Sequence, residues 1–291
     1  VAVELALRLR LDALMAALPA AKAGDVSAVH RSRVATRRVR AVLPLLDQRV
    51  GRRLARAMRR LTRALGPVRE LDVSFEIVQR FESAQELPRA AAAVLRQSIL
   101  DERSRMQPGL VRAIDRADLP KVKKKALAAV RDPKTGLTPV DTAARLARAR
   151  ARAARRAVRL RDAIDRAASL YLPDRLHQVR IAVKKLRYSM EVVRELRRSR
   201  ASARILALKR AQDLLGHMHD LEILIARTRA VQGSPNAPNL RVSAELDRLV
   251  RRLETECRQL HGQYMASRHA LLTICEHAEN DGAAAEDSPA A

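Results

Sequence analysis

Tryptophan is absent from this chain of 291 residues, and its other aromatics are two Phe and three Tyr. With so few flat rings, a single-stranded nucleic acid finds little on which to stack its bases. Strands also lose the side chains that suit them, whereas the abundant Ala, Leu and Arg suit long helices. Glycine (9) and proline (12) are few and gather at a handful of places. Cysteine is limited to Cys257 and Cys275, 18 residues apart in one helical segment. That spacing is about 27 Å along a helix axis, too far for a bridge within the helix. Both are expected to be core thiols, which fits a reducing compartment, and a cytoplasmic location is expected. No run approaches 18 uninterrupted apolar residues, so no membrane span is expected. The opening VAVELALRLRLDAL is amphipathic and charged throughout, unlike a secretory signal. It begins at Val rather than Met, which leaves room for sequence upstream.

Carboxylates are the other shortage. Against 32 acidic residues stand 58 basic ones, nine of them Lys and the rest Arg, for a net charge of +26. An Ala- and Arg-rich coding style accounts for Arg over Lys but not for the uncompensated sign. A sequence pI near 11.5 predicts a polyanionic partner: nucleic acid, an anionic membrane surface or another phosphate polymer.

What is present is helical periodicity over most of the chain. Breaks are expected at Pro19–Asp25, Gly51, Gly66–Pro67, Gln107–Gly109, Asp132–Pro139, Tyr171–Asp174, Gly216 and Gln232–Asn239, giving about ten helices. The sequence also repeats. VHRSRVATRRVR, ending at Arg40, is echoed by HQVRIAVKKLRY, ending at Tyr188. A shift of 147 lays His30, Arg33, Arg37, Arg38 and Arg40 on His177, Arg180, Lys184, Lys185 and Arg187. A second phrase follows each: LGPVRELDV from Leu65 and LGHMHDLEI from Leu215. The expected fold class is all-α: a tandem duplication of two antiparallel helical bundles, about four long helices each, in a pseudo-two-fold relation. The boundaries read as a first bundle over 1–131, a linker over 132–139 (DPKTGLTP), a second bundle over 140–278 and a disordered acidic tail over 279–291.

At 100° per residue, His30, Arg33, Arg37 and Arg40 fall within an arc of about 80°. Ala35, Val39, Val42, Leu43 and Leu46 lie opposite. His177, Arg180, Lys184 and Arg187 share an arc in the same way, opposed by Ala182, Leu186, Met190 and Val193. A third stripe, Arg145, Arg148, Arg152, Arg155 and Arg159, repeats at steps of 3 and 4 and forms one ridge. Like charges at these spacings repel by a few tenths of a kcal/mol per pair. A face that served only solubility would intersperse Glu, and the stripes hold none before Glu191. The pattern therefore favours a bound polyanion over a solvated surface.

The paired phrases resemble the CHAD domain, the conserved histidine α-helical domain, over essentially the whole chain before the tail. The resemblance implies an all-helical module that binds inorganic polyphosphate through basic residues, with association with polyphosphate granules. It carries the motif roles to His30, Arg33, Arg37, Arg38 and Arg40 and to His177, Arg180, Lys184, Lys185 and Arg187. The second phrase adds Arg69, with Glu70 and Asp72, and in the other half His219, with Asp220 and Glu222. His219 stands where the family favours Arg, and a His is mostly neutral at pH 7.

Polyphosphate carries repeated charge and no bases, so a cationic track suffices. Arg supplies planar paired donors and stays charged. The stripe from His30 to Arg40 spans about 15 Å on a helix. Arg148, Arg152 and Arg155 join the candidate contacts, as do Arg59 and Lys209, each seven residues before a motif Gly. His30 and His177 read equally well as phosphate donors and as partners of a nearby carbonyl or carboxylate. No HxxxH or CxxC pair occurs, and His217 and His219 diverge on a helix, so no metal and no cofactor is expected. Glu70, Asp72, Asp220 and Glu222 read better as helix-start acids that orient Arg than as acid–base or Mg²⁺ groups. Gly66 and Gly216 are expected to break helices or allow close packing, Pro44 to kink a helix near Arg40, and Tyr188 to pack at the core edge. The expected function is non-catalytic polyphosphate binding. A nonspecific nucleic-acid binder is the alternative, and a metal-dependent polyphosphate or triphosphate hydrolase a weaker one. The oligomeric state stays open.

Overall fold

The computed structural model describes residues 2–43, 48–131, 139–197 and 203–286. These residues form nine helices and no strand: α1 (Ala2–Lys22), α2 (Val26–Val42), α3 (Gln48–Ser83), α4 (Arg89–Ala117), α5 (Leu119–Arg131), α6 (Pro139–Ala167), α7 (Pro173–Arg197), α8 (Ala203–Gln232) and α9 (Leu240–Glu286). The chain divides into two compact units. One is Val1–Leu137 with Ala226–Val250, and the other is Thr138–Ile225 with Arg251–Ala291. The division differs from the expected cut between consecutive halves, because the tip of the α8–α9 hairpin belongs with α1–α5.

The first unit is built on heptad-like leucines. Leu7, Leu11, Leu14 and Leu18 of α1 recur at steps of 4, 3 and 4 and are buried. They meet Val29 and Val39 of α2 and Leu54, Met58, Leu61 and Leu65 of α3 in one core. Each fully buried Leu contributes roughly 1.5–3 kcal/mol relative to leaving it in water. Polar ties lock the outer helices. Asp72 of α3, with its side chain 1% exposed, accepts from Arg103 Nε of α4 at 2.7 Å. Arg103 Nη2 also donates to the carbonyl of Gly24 at 2.6 Å. Arg227 in the hairpin tip pairs with Glu102 of α4.

The second unit packs a small-residue face. Ala149, Ala153, Ala157 and Leu160 of α6 are buried, as are Leu176, Val179, Val183 and Leu186 of α7. Leu208, Leu215 and Leu221 of α8 and Leu253, Tyr264 and Leu271 of α9 complete the core. Cys257 and Cys275 are buried free thiols, and desolvation pushes them up to about 11 and about 12. At Gly282 of α9 a methyl group would fall 2.5 Å from Ala154 Cβ of α6. The two helices pass too closely there for any side chain.

Several expected breaks are absent. Gly51, Gly66–Pro67, Gln107–Gly109 and Gly216 all lie inside continuous helices. A flexible Gly costs a helix about 1 kcal/mol, and an interior Pro about 3 kcal/mol or more. Buried neighbours such as Leu65, Val68, Leu71, Leu215 and Met218 carry these helices through. Two unexpected breaks occur at 84–88 and at Asp118, where Gln85 and Asp118 take positive φ of 57° and 39°. α9 runs to Glu286, into the stretch expected to be a disordered tail. Ion pairs Arg161–Glu279 at 2.8 Å and Arg204–Asp281 at 3.3 Å fasten it. Pro44, Leu46, the linker 132–138 and tail residues 287–291 fall outside the described residues.

Candidate functional site

In the first unit, the Asp25 carboxylate caps α2 by accepting from the Ala28 N–H. That start places His30 one turn into the helix. Ala28, Val29, Ser32, Ala35, Thr36, Val39 and Val42 form the buried face. His30, Arg38 and Arg40 are exposed on the other side, and Arg33 and Arg37 are half-buried. α3 lies alongside. A methyl at Gly66 would sit 3.0 Å from Arg33 Nη1, so this Gly is the space the guanidinium occupies. One turn further on, Arg69 Nη1 and Nη2 fork onto Glu76 at 2.9 and 3.3 Å.

These cations repel one another. Burial, then the charges of Arg69 and Arg37, hold His30 below its ordinary value, against the pull of Glu76 and with a lesser push from Arg33. Burial and the charge of Arg59 likewise lower Arg40. Arg59 itself is exposed on α3. Arg69, His30, Arg33 and Arg37 thus form one group, and Arg40 with Arg59 a second further along.

The second unit repeats the pairing with different chemistry. A Cβ at Gly216 of α8 would lie 3.8 Å from Arg180 Nε. His219, in the position of Arg69, stands with its Nδ1 3.3 Å from His177 Nδ1, the rings 4.4 Å apart. Burial, then His219, Arg180 and Lys184, lower His177, against Glu222. Glu222 lies 3.8 Å from His219 Nδ1 and accepts from Tyr171 Oη at 2.8 Å. Burial first, then its bonds to Cys257 and Glu222, push the Tyr171 hydroxyl far above its ordinary value. His217 turns the other way, to Glu256 at 2.8 Å, as the divergence of the two histidines predicts.

The remaining predicted residues are spread unevenly. Arg187 is only 13% exposed; it donates to Glu191 at 2.5 Å and to Gln212 at 3.1 Å. Its guanidinium also covers the Tyr188 ring at 4.4 Å. It is held inside the unit more firmly than Arg40. Lys184 is half-buried, and Lys185 and Lys209 are exposed. On α6, Arg148 and Arg155 are exposed and Arg152 is half-buried. Burial, then Arg156 and Arg155, lower Arg152, so the ridge crowds like charges as α2 does. The side chain of Arg145 is outside the described residues. Ala182, Met190 and Val193 are only half-buried, since the core face of α7 is turned toward Val179, Val183 and Val192.

Glu76, Tyr171 and Arg103 enter the site without having been singled out. Glu76 was within reach of sequence reading, because a step of seven is two helical turns from Arg69. Nothing in the sequence pairs Arg103 with Asp72. The described residues contain no cluster of three or more His, Cys, Asp or Glu placed to hold a metal. No helix of the described residues is long and apolar enough to cross a membrane.

An all-helical module whose helix faces gather His and Arg defines a class, and comparison supplies the family. The CHAD domain model matches residues 5–229, and the chain belongs to that family. No curated protein matches the sequence. Among solved structures, PptA from Streptomyces chartreusis is 18% identical over 99% of this chain and 98% of its own, with a TM-score of 0.60. The CHAD domain from the plant Ricinus communis is 17% identical over 92% of this chain and 91% of its own, with a TM-score of 0.62. At these identities the likeness is one of fold.

Proposed function

We propose that the chain binds inorganic polyphosphate, without turning it over, through the cationic faces of α2–α3 and α7–α8 and the ridge of α6. One observation carries this reading: cations are held where they depress one another. Burial first, and then the neighbouring cations, lower His30 beside Arg69, Arg37 and Arg33, Arg40 beside Arg59, and His177 beside His219, Arg180 and Lys184. A repeating anion relieves that repulsion at every step, and Arg forks suit phosphate oxygens. The acids of the second phrase favour a non-catalytic role, since Asp72 is tied to Arg103 and Glu222 to Tyr171. On this reading the chain gathers at polyphosphate granules in the cytoplasm.

The test is titration of a defined-length polyphosphate into two charge-reversed proteins, Arg33→Glu with Arg37→Glu and Arg180→Glu with Lys184→Glu. Binding is expected to weaken at least a hundredfold in each, with helix content by circular dichroism unchanged. Unchanged affinity in both variants overturns the proposal. Displacement of polyphosphate by duplex DNA at equal phosphate concentration would favour the nucleic-acid reading. Phosphate release with Mg²⁺ or Mn²⁺ would favour a hydrolase.

A further inference from the structure

The second unit holds a cavity that the motif residues do not line. It has a volume of about 240 Å³, ample for a small polyatomic anion. Its charged wall is Arg150 of α6, Arg194 and Arg197 of α7, and Arg204 of α8, with Asp281 of α9. Met190, Val193 and Ile205 form the apolar floor. Arg194 lies 17 residues past His177, about 26 Å along α7. The cavity is therefore separate from the His177–His219 pair.

Four guanidinium groups face one carboxylate, leaving three positive charges. Asp281 Oδ2 pairs with Arg204 Nη1 at 3.3 Å. Arg150, Arg194 and Arg197 have no carboxylate within ion-pair distance among the described residues. Arg204 sits in the first turn of α8, which holds no acid. A helix start favours an anion and disfavours a lone cation. An Arg at that place, facing three others, favours an anion between them. The apolar floor strengthens each such pairing by keeping water away from one side.

We propose that this cavity is a second anion site, taking a compact, multiply charged oligophosphate such as inorganic diphosphate or triphosphate. A monocarboxylate leaves two charges uncompensated, and a sulfate one. A diphosphate or a linear triphosphate carries enough negative charge to balance all three and offers terminal oxygens to forks from three helices. Free oligophosphate and the end of a long polyphosphate share this chemistry. The size of the cavity assigns it to the free, short form.

Met190 on the floor is one of six methionines in the chain, so methyl-labelled Met reports the site directly. In the full chain, triphosphate is expected to shift the Met190 methyl resonance saturably, with the signal assigned through Met190→Leu. Arg194→Gln with Arg197→Gln should weaken that titration at least tenfold, whereas Arg197→Lys should largely restore it when Arg194 is kept. Arg33→Glu with Arg37→Glu should leave it unchanged, so this site and the α2–α3 face fail or stand independently. A Met190 resonance indifferent to triphosphate overturns the proposal. So does an equal response to sulfate at the same concentration, or a response to long polyphosphate alone.

Discussion

At the scale of single residues, the two motif glycines separate packing from binding. Gly66 and Gly216 both lie inside helices, where Ala is favoured by up to about 1 kcal/mol. At Gly216 the added methyl would make ordinary contact at 3.8 Å with Arg180. Gly216→Ala is expected to raise the urea midpoint with polyphosphate affinity unchanged. At Gly66 the methyl would meet Arg33 Nη1 at 3.0 Å. That atom ends a flexible side chain, so the fold survives while the guanidinium moves. Gly66→Ala is expected to match or exceed the parent in stability and to bind polyphosphate several-fold more weakly. Equal affinity in both Ala variants would show that the position of Arg33 does not matter.

Proton linkage also belongs to individual residues. His30 and His177 are held below the ordinary 6.5 of an unfolded His. Their contribution to stability is complete above pH 6.5 and is lost as pH falls through the folded values, where the unfolded chain takes protons first. A phosphate beside the imidazole reverses the sign by favouring the charged ring. Polyphosphate affinity is therefore expected to rise as pH falls from 7 toward 5.5, with proton uptake on binding. Calorimetry in two buffers of different ionisation heat measures that uptake, and His30→Gln with His177→Gln should abolish it. The sequence showed these histidines on the basic arcs but left their role open between phosphate donor and internal partner. What decided their surroundings was the neighbouring helix: Arg69 in one unit and His219 in the other. Spacing within α2 or α7 carries no information about that.

At the scale of elements, the helix faces were legible and the helix ends less so. The arc of His30, Arg33, Arg37 and Arg40 opposes buried Ala35, Val39 and Val42, because both sets follow one periodicity. Gly and Pro were poorer guides, since α3, α4 and α8 continue past them wherever the flanking apolar residues are buried. The ties between elements were not visible at all. Asp72–Arg103 spans 31 residues and joins α3 to α4, and Arg103 reaches on to Gly24. Asp72 is nearly inaccessible, and burial raises its proton affinity against the pull of Arg103. Arg103→Ala would leave that carboxylate uncompensated and is expected to cost about 3–5 kcal/mol in urea unfolding. Asp72→Asn in the same background should recover part of the loss. A double-mutant cycle with no coupling would remove the pair from the structural account.

At the scale of the whole molecule, the excess of basic residues predicts how binding responds to salt. Counterions condensed on a polyanion are released when its charges are neutralised, so affinity falls with salt in proportion to the number of contacts. The α2 stripe covers about 15 Å of helix, long enough on the proposed reading to follow several consecutive phosphates. For 6–10 contacts, affinity should drop roughly 10³–10⁵-fold between 50 and 200 mM salt. Neutralising Arg37 and Arg40 together should lower the slope of log affinity against log salt by about 1.5–2. Arg187→Gln should lower it by much less, because that guanidinium is already held by Glu191 and Gln212. The contrast separates a cation that touches the polymer from one that only adds to the net charge. Equal slopes for Arg37→Gln with Arg40→Gln and for the parent would mean that polymer contacts lie elsewhere on this basic surface. Affinity measured across chain lengths supplies the complementary readout, rising until the stripe is covered and levelling once further phosphates find no cation to meet.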